Sequence, residues 1–240
     1  MSDKLIVALD FPDLAGAEKI VKKISPLVKI FKVGKELFTA AGPKAVEMIH
    51  SHKCRVFLDL KFHDIPNTVG SACEAAAKLG VFMLNVHALG GKTMMTSAVQ
   101  AVHKVAEGKR TPTKVLAVTV LTSLMDRDLK EVGISQKVKK EVPQLASLAK
   151  ICGLDGVVAS GQEISLVRKA AGKDFLIVTP GVRPVWAAHG DQKRIVTPKE
   201  AIASGADFIV VGRPITQHPQ PIAAAEKILK EIDEVLLRGA

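Results

Sequence analysis

Short apolar runs alternate with amphipathic segments along the whole chain. The apolar runs predict eight strands, at residues 5–10, 28–34, 55–61, 81–88, 114–121, 156–160, 176–179 and 208–211. Between them, apolar positions recur with the period of a helix. This period predicts helices at residues 14–24, 43–50, 67–79, 93–107, 138–152, 164–171, 198–204 and 222–237, and a short helical segment near 127–131.

This order of elements predicts an α/β fold, a (β/α)8 TIM barrel. Strands that are apolar throughout are typical of a parallel sheet covered on both faces, and eight βα units suit a barrel. The chain has 240 residues and no linker or low-complexity stretch, so we expect residues 1–240 to form one barrel domain. An open doubly wound sheet is the alternative. Its nucleotide-binding forms are weakly supported, because the chain has no Gly-x-Gly-x-x-Gly after the first strand and no Walker sequence.

Composition limits the partners and the location that we expect. The formal charge is +10, but the chain has only eight Phe, one Trp and no Tyr, which leaves little material for base stacking, so no nucleic-acid partner is expected. The first apolar run is too short for a signal peptide, and none approaches the ~20 residues of a membrane span. We therefore expect no membrane association. Cys54, Cys73 and Cys152 are widely spaced, as is typical of buried thiols in a reducing cytoplasm.

Charged residues lie at the predicted ends of three neighbouring strands. Asp10 ends the first strand, Lys32 lies near the end of the second, and Asp59 and Lys61 end the third. Positions two apart on a strand face the same way, so Asp59 and Lys61 should project together. Alone, such a pair is more often a structural ion pair. Since barrel enzymes carry their chemistry at these strand ends, the four residues together favour a functional charge cluster.

A second group of polar residues follows the last two strands. The seventh strand runs into Pro180, Gly181 and Arg183, and the eighth ends in Gly212 and Arg213. A glycine lets backbone N–H groups approach an oxyanion, and an arginine offers a planar fork suited to phosphate. Barrels often bind phosphate after these two strands, so the segments predict a phosphate site, which Gln192 strengthens. The connection at residues 181–196 is long enough to close over a ligand.

Two histidines near strand ends allow two interpretations. His63 follows the third strand and His87 lies at the end of the fourth. Either could serve as an acid–base group, because histidine titrates near neutral pH. A hydrogen-bonded histidine at the barrel rim is at least as well supported, and the sequence does not decide between the two.

Three segments closely resemble bacterial orotidine 5'-phosphate decarboxylases. They are DLKFHDIPNT at residues 59–68, TPGVR at 179–183 and VGRPIT at 211–216, and Asp10 and Lys32 match as well. The ten-residue motif is highly specific, whereas the Gly-Arg ending is shared by many phosphate-binding barrels. The resemblance implies decarboxylation of orotidine 5'-phosphate to UMP in pyrimidine biosynthesis, without metal or other cofactor. It also implies a cytoplasmic homodimer with active sites shared across the interface.

The resemblance further implies a role for individual residues. Lys61 is the expected proton donor to C6 of the pyrimidine, within a charged array of Lys32, Asp59, Lys61 and Asp64. Asp64 is expected to enter the active site of the partner subunit, with Ile65 and Thr68 beside it. The other expected substrate contacts are Asp10 and Lys32 at the ribose, Thr122 and Ser123 at the pyrimidine, Arg183, Gln192, Gly212 and Arg213 at the phosphate, and Pro180.

Three alternatives remain open. A related barrel decarboxylase or aldolase acting on sugar phosphates shares the Asp-x-Lys-x-x-Asp spacing. It would be expected to use a metal and an acidic residue on the second strand, where this chain has Lys32. A non-catalytic nucleotide-binding barrel would result if the charged array were misassembled. A basic nucleic-acid binder is the least favoured of the three.

Overall fold

Eight parallel strands close into a barrel in the computed structural model of the chain, which describes residues 3–106, 112–187 and 196–238. Each strand pairs with the next in sequence, and the eighth pairs with the first. The predicted (β/α)8 TIM barrel is therefore confirmed. The strands are β1 (Leu5–Ala8), β2 (Ile30–Gly34), β3 (Arg55–Phe62), β4 (Met83–His87), β5 (Lys114–Val118), β6 (Gly156–Val158), β7 (Leu176–Thr179) and β8 (Phe208–Val211).

Helices cover the outside of the barrel between the strands. They are α1 (Leu14–Ile24), α2 (Lys35–Ala41), α3 (Lys44–Ser51), α4 (Pro66–Lys78), α5 (Gly91–Ala106), α6 (Asp126–Glu131), α7 (Val138–Ile151), α8 (Ile164–Ala171), α9 (Pro198–Ala203), α10 (Arg213–Thr216) and α11 (Pro221–Arg238). Short 3-10 turns lie at Ala88–Gly90 and Gly161–Glu163. None of the described helices is both long enough and apolar enough to cross a membrane.

The predicted helices are present, and two short ones were missed. α1 has the predicted bounds because the Asp13 carboxylate caps it, accepting a hydrogen bond from the Gly16 N–H at 2.7 Å. α2 buries only Leu37, so its sequence carries no apolar period. α10 is a single turn of four residues directly after β8. Both missed helices follow strands whose ends carry site residues.

The apolar core forms two layers. One lies between the strands and the surrounding helices, and the other fills the barrel. Since inward-facing side chains of a closed barrel pack in layers, this interior is solid rather than a channel. The interior residues nearest the C-terminal ends of the strands lie beneath the polar residues at those ends. The interior layer comprises Ile6, Ala8, Ile30, Phe57, Met83, Leu116, Val118, Val158, Val178 and Val210.

Candidate active site

Lysine and aspartate side chains form a continuous ionic array at the C-terminal ends of β1, β2 and β3. Lys61 Nζ lies 2.7 Å from Asp59 Oδ1, and Lys32 Nζ lies 3.5 Å from Asp59 Oδ2. Lys32 Nζ also lies 3.1 Å from Asp10 Oδ1. The side chains of Lys32 and Asp59 are only 12% and 13% exposed. Each oxygen of Asp59 therefore faces its own ammonium group, and the three side chains form one ion-paired unit.

The backbone under Lys61 departs from a regular strand. Lys61 has φ +53°, in the left-handed region that side chains other than glycine rarely adopt. The register with β4 also shifts here, because Leu58 pairs with Leu84 while Phe62 pairs with Val86. Simple alternation predicted that Asp59 and Lys61 face the same way. The two side chains do meet, but through a bulge that the alternation did not predict.

A cavity of about 230 Å³ opens beside the two lysines. Apolar side chains of the barrel interior form its floor. Polar groups of the loop after β5 form part of its wall, including the predicted residues Thr122 and Ser123. The lining residues are Lys32, Phe57, Asp59, Lys61, Val118, Val120, Leu121, Thr122, Ser123, Val158, Ala159, Ser160, Pro180 and Val210. A flat, largely apolar ring carrying a few polar groups suits such a lining.

A second cavity, of about 180 Å³, lies next to the first and is cationic. Arg183 and Arg213 line it together with Asp10, Gly181 and Gly212. Burial first, and then the neighbouring Arg213 guanidinium, lowers the pKa of Arg183 from its usual value. Two guanidinium groups brought this close favour an anion between them, and their planar forks suit the oxygens of a phosphate. The predicted phosphate residues are thus brought together, except for Gln192, which lies outside the described residues.

The two cavities are joined. Lys32, Pro180 and Val210 line both of them. A ligand with an apolar ring at one end and a phosphate at the other could therefore occupy both cavities. Asp10 and Lys32 would lie between the two ends. The resemblance assigned residues to pyrimidine, ribose and phosphate in this order along the cleft, and these roles stay predictions.

Asp64, Ile65 and Thr68 line neither cavity of this subunit. Asp64 and Thr68 are exposed, and Ile65 is 66% exposed. Within the described residues, Asp64 forms no salt bridge, and its Oδ1 accepts a hydrogen bond from the Ile65 N–H at 2.6 Å. The structure therefore places these three predicted residues at the start of α4, exposed and outside both cavities of their own chain.

The two histidines form a stacked pair beside the array. The rings of His63 and His87 lie 5.3 Å apart between centroids and are inclined by 20°. Burial, followed by the nearby charges of His63, Lys61 and Lys35, lowers the pKa of His87 to about 4. His87 is therefore neutral at pH 7 and lacks the proton that a general acid needs. Its buried Nδ1 has no hydrogen-bond partner among the described residues.

One buried polar residue at the site was passed over by the sequence-based assignment of roles. Asn85 of β4 is fully buried and hydrogen-bonds both to Asp59 and to the backbone of Lys61. A signal was present, since Asn85 interrupts the apolar run of β4. Within residues 3–106, 112–187 and 196–238, no cluster of three or more His, Cys, Asp or Glu side chains could hold a metal ion.

This fold and this site define a class of protein. A closed (β/α)8 barrel with an ionic array at one end of a cleft and two arginines at the other has the architecture of a barrel enzyme for a phosphate-bearing substrate. A sequence profile of the orotidine 5'-phosphate decarboxylase / HUMPS family matches residues 3–228. The chain belongs to this family.

Individual relatives agree with that assignment. A protein of Syntrophotalea carbinolica named orotidine 5'-phosphate decarboxylase is 54% identical over 237 residues, covering 98% of this chain and 97% of that protein. A protein of the same name from Moorella thermoacetica is 55% identical over 235 residues, covering 97% and 93%. The crystal structure of orotidine 5'-phosphate decarboxylase from Lactobacillus acidophilus has a TM-score of 0.85 and 40% identity, covering 97% of this chain and 100% of that one.

Proposed function

We propose that this protein decarboxylates orotidine 5'-phosphate to UMP and carbon dioxide, a reaction of pyrimidine biosynthesis. The observation that carries the proposal is the pair of joined cavities, one beside the Lys32–Asp59–Lys61 array and the other beside Arg183 and Arg213. The pyrimidine would occupy the first, the phosphate the second, and the ribose the junction near Asp10 and Lys32. Family membership and the names of the two bacterial relatives support this substrate.

Lys61 is the residue that we assign to the chemical step. When the bond between C6 and the carboxylate breaks, carbon dioxide leaves and the electron pair stays on C6. A fixed ammonium beside this carbon stabilises the developing negative charge and then donates a proton to it, forming UMP. Lys61 is the more exposed of the two array lysines, at 26% against 12%, and it lines the ring cavity. In this scheme the proton comes from a residue of the protein itself, and no metal or cofactor is used.

The phosphate end contributes without touching the reacting carbon. Arg183, Gly212 and Arg213 would hold the phosphate, with Gln192 as a further predicted contact. Binding energy from this remote group lowers the barrier if it is used to position the ring and exclude water. Pro180 lines both cavities, so it would contact the substrate at the junction between its two ends.

We also propose that the protein works as a homodimer in which Asp64 completes the array of the partner subunit. Two observations support this arrangement. Asp64 is exposed and forms no salt bridge among the described residues of its own chain. The next residue, Ile65, exposes 66% of its surface, and a partner subunit would cover this apolar side chain. We propose a cytoplasmic location on separate grounds. Cys54, Cys73 and Cys152 are buried free thiols, which fits a reducing compartment.

A direct assay tests the function. The purified protein should consume orotidine 5'-phosphate, followed by the change in ultraviolet absorbance, with release of UMP and carbon dioxide. Activity should survive dialysis against EDTA, because the proposed scheme uses no metal. Loss of activity with EDTA, together with aldol chemistry on sugar phosphates, would favour the related barrel enzymes instead. Lys32 on β2 argues against that outcome, since those enzymes are expected to carry an acidic residue there.

Gly34 provides a prediction about the array. A Cβ at this position would lie 2.8 Å from Lys32 Nζ and 3.4 Å from Asp10 Oδ1. Its φ of −92° suits any residue, so Gly34→Ala should fold normally but displace the Lys32 ammonium. A misplacement of about 1 Å costs up to ~100-fold, so we expect kcat/KM to fall roughly 10- to 100-fold. Steady-state kinetics and thermal unfolding would measure the two effects.

The control for Gly34→Ala is the same substitution in a Lys32→Ala background. With the ammonium already removed, the added methyl group keeps only an ordinary contact with Asp10 Oδ1 at 3.4 Å, and kcat/KM should not fall further. Equal losses in both backgrounds would show that Gly34→Ala acts by another route.

A further inference from the structure

Asn85 lies opposite the irregular segment of β3. Leu58 pairs with Leu84, and Phe62 pairs with Val86. The three residues 59–61 therefore face the single residue Asn85, and the backbone of β4 cannot satisfy all of their polar groups. Since a buried unpaired N–H costs free energy comparable to a lost hydrogen bond, another acceptor is needed there.

The side chain of Asn85 supplies that acceptor and a donor as well. Its Oδ1 accepts a hydrogen bond from the Lys61 backbone N–H at 2.8 Å, and its Nδ2 donates to Asp59 Oδ1 at 2.6 Å. This orientation of the amide is forced by chemistry, because a backbone N–H can only donate and an ionised carboxylate can only accept. The residue is 0% exposed, so water does not compete for either bond.

Both bonds act on groups of the ionic array. Asp59 Oδ1 also accepts from Lys61 Nζ at 2.7 Å, so Asn85 fixes the carboxylate that orients the ammonium. The bond to the backbone holds Lys61 at φ +53°, a strained conformation for a residue with a Cβ. The Asn85 amide thus positions Lys61 in two ways. It bonds directly to the Lys61 backbone, and it holds the Asp59 carboxylate that the Lys61 side chain contacts. Asn85 lines neither cavity and so does not contact a ligand in them.

We propose that Asn85 is a positioning residue for the reaction, which places the Lys61 ammonium by holding its backbone in the left-handed conformation and the Asp59 carboxylate in register with it. The inference rests on the proposed decarboxylase function. Asn85 acts through Lys61 and Asp59, so its removal affects the chemical step more than the binding of the nucleotide.

Two variants of Asn85 test this role. Asn85→Ala removes both bonds and should lower kcat by about 10- to 100-fold, the size expected for misplacing a catalytic group, while UMP binding changes less than about threefold. Asn85→Asp keeps the acceptor for Lys61 but sets a second carboxylate against Asp59. Two carboxylates this close share a proton. In the variant, that proton would replace the amide N–H in the hydrogen bond to Asp59.

The pH dependence separates positioning from simple structural support. For Asn85→Asp, the ratio of variant to wild-type kcat should rise as pH falls from about 8 to 5.5, because the shared proton becomes available. Asn85→Ala has no such proton, and its ratio should stay flat. Asp59 and Lys61 are bonded to Asn85 directly, Lys32 pairs with the other oxygen of Asp59, and the stacked rings of His63 and His87 lie beside the array. His87, with its pKa lowered to about 4, stays neutral across this range.

Thr119→Val is the matched control. Thr119 is also fully buried at a strand end, but its hydroxyl donates to the Val158 carbonyl at 2.9 Å rather than to a group of the ionic array. It should lower the unfolding temperature without changing the shape of the kcat–pH profile. If Asn85→Asp behaves like Thr119→Val, or if the Asn85 variants weaken UMP binding as much as kcat, the positioning role is wrong. An inactive wild-type protein would instead reject the proposed function.

A measurement on the wild-type protein covers the case in which the variants fail to fold. Although Lys61 lies in a bulge, its amide is bonded to a buried side chain and should exchange with solvent deuterium as slowly as its neighbours in β3. Exchange at the rate of an unprotected amide, with the neighbouring strand amides protected, would overturn the inference.

Discussion

Lys61→Ala is expected to lower kcat by about 10⁴-fold or more while leaving UMP binding nearly intact. Lys61 is assigned two tasks, stabilising charge on C6 and donating the proton, and such contributions are typically about 10²–10³ and 10²–10⁴ in rate. The phosphate cavity, which lies at the other end of the cleft, is untouched by the substitution. Steady-state kinetics of orotidine 5'-phosphate consumption and calorimetric binding of UMP would measure the two effects side by side.

Two comparisons make the Lys61 result specific. Lys61→Arg keeps a positive charge, but a guanidinium group does not give up a proton near neutral pH, so little activity should return. Lys78→Ala removes a lysine that also pairs with a carboxylate, Glu74, at 2.6 Å on the surface of α4, and it should leave kcat unchanged. Substantial activity in Lys61→Ala would contradict the assignment of the proton donor.

Mixing two inactive variants is expected to restore activity. In a hybrid of Lys61→Ala and Asp64→Ala subunits, one site lacks both groups and the other is intact if Asp64 acts on the partner's array. Random exchange makes half of the dimers hybrids with one working site each, so activity should recover to about a quarter of the wild-type value. Activity would be measured on the mixture after co-refolding or co-expression, and on the hybrids isolated by two different affinity tags, which should reach about half of the wild-type value.

A second mixture controls the first. Lys32 and Lys61 belong to the array of one subunit, joined through Asp59. Hybrids of Lys32→Ala and Lys61→Ala subunits should therefore contain no intact site and recover nothing. Tagged hybrids of Lys61→Ala and Asp64→Ala that stay inactive would show that Asp64 does not act in trans.

The sequence predicted the barrel because its strands are apolar throughout and its larger helices carry a clear apolar period. The charge cluster followed from the same reasoning, since parallel strands bring their C-terminal ends together. Asp10, Lys32, Asp59 and Lys61 could be placed near one another without knowing any distance. The roles of these residues stay predictions, because they came from the resemblance and not from the pattern.

The pattern of apolar and polar positions did not predict features that depend on contacts between distant segments. The bulge at Lys61 arises from a register shift between β3 and β4, where residues 59–61 face only Asn85, and period-two alternation cannot detect such extra residues in one strand. Asn85 gains its importance only from that shift. α2 and α10 have too few buried residues to produce a helical period. The position of Asp64 relative to a partner subunit is likewise not a property of one chain.

The floor of the ring cavity has a consequence for attempts to change substrate preference. Phe57, Val118, Val158 and Val210 line the cavity and also belong to the packed interior of the barrel. Reshaping the site at these positions also removes or overfills core volume, which for large-to-small changes destabilises by roughly 2–5 kcal/mol. Thr122, Ser123 and Pro180 stand on loops outside that packing. Changes toward new ring-shaped ligands can therefore proceed through the loops, whereas the floor is constrained by folding as much as by chemistry.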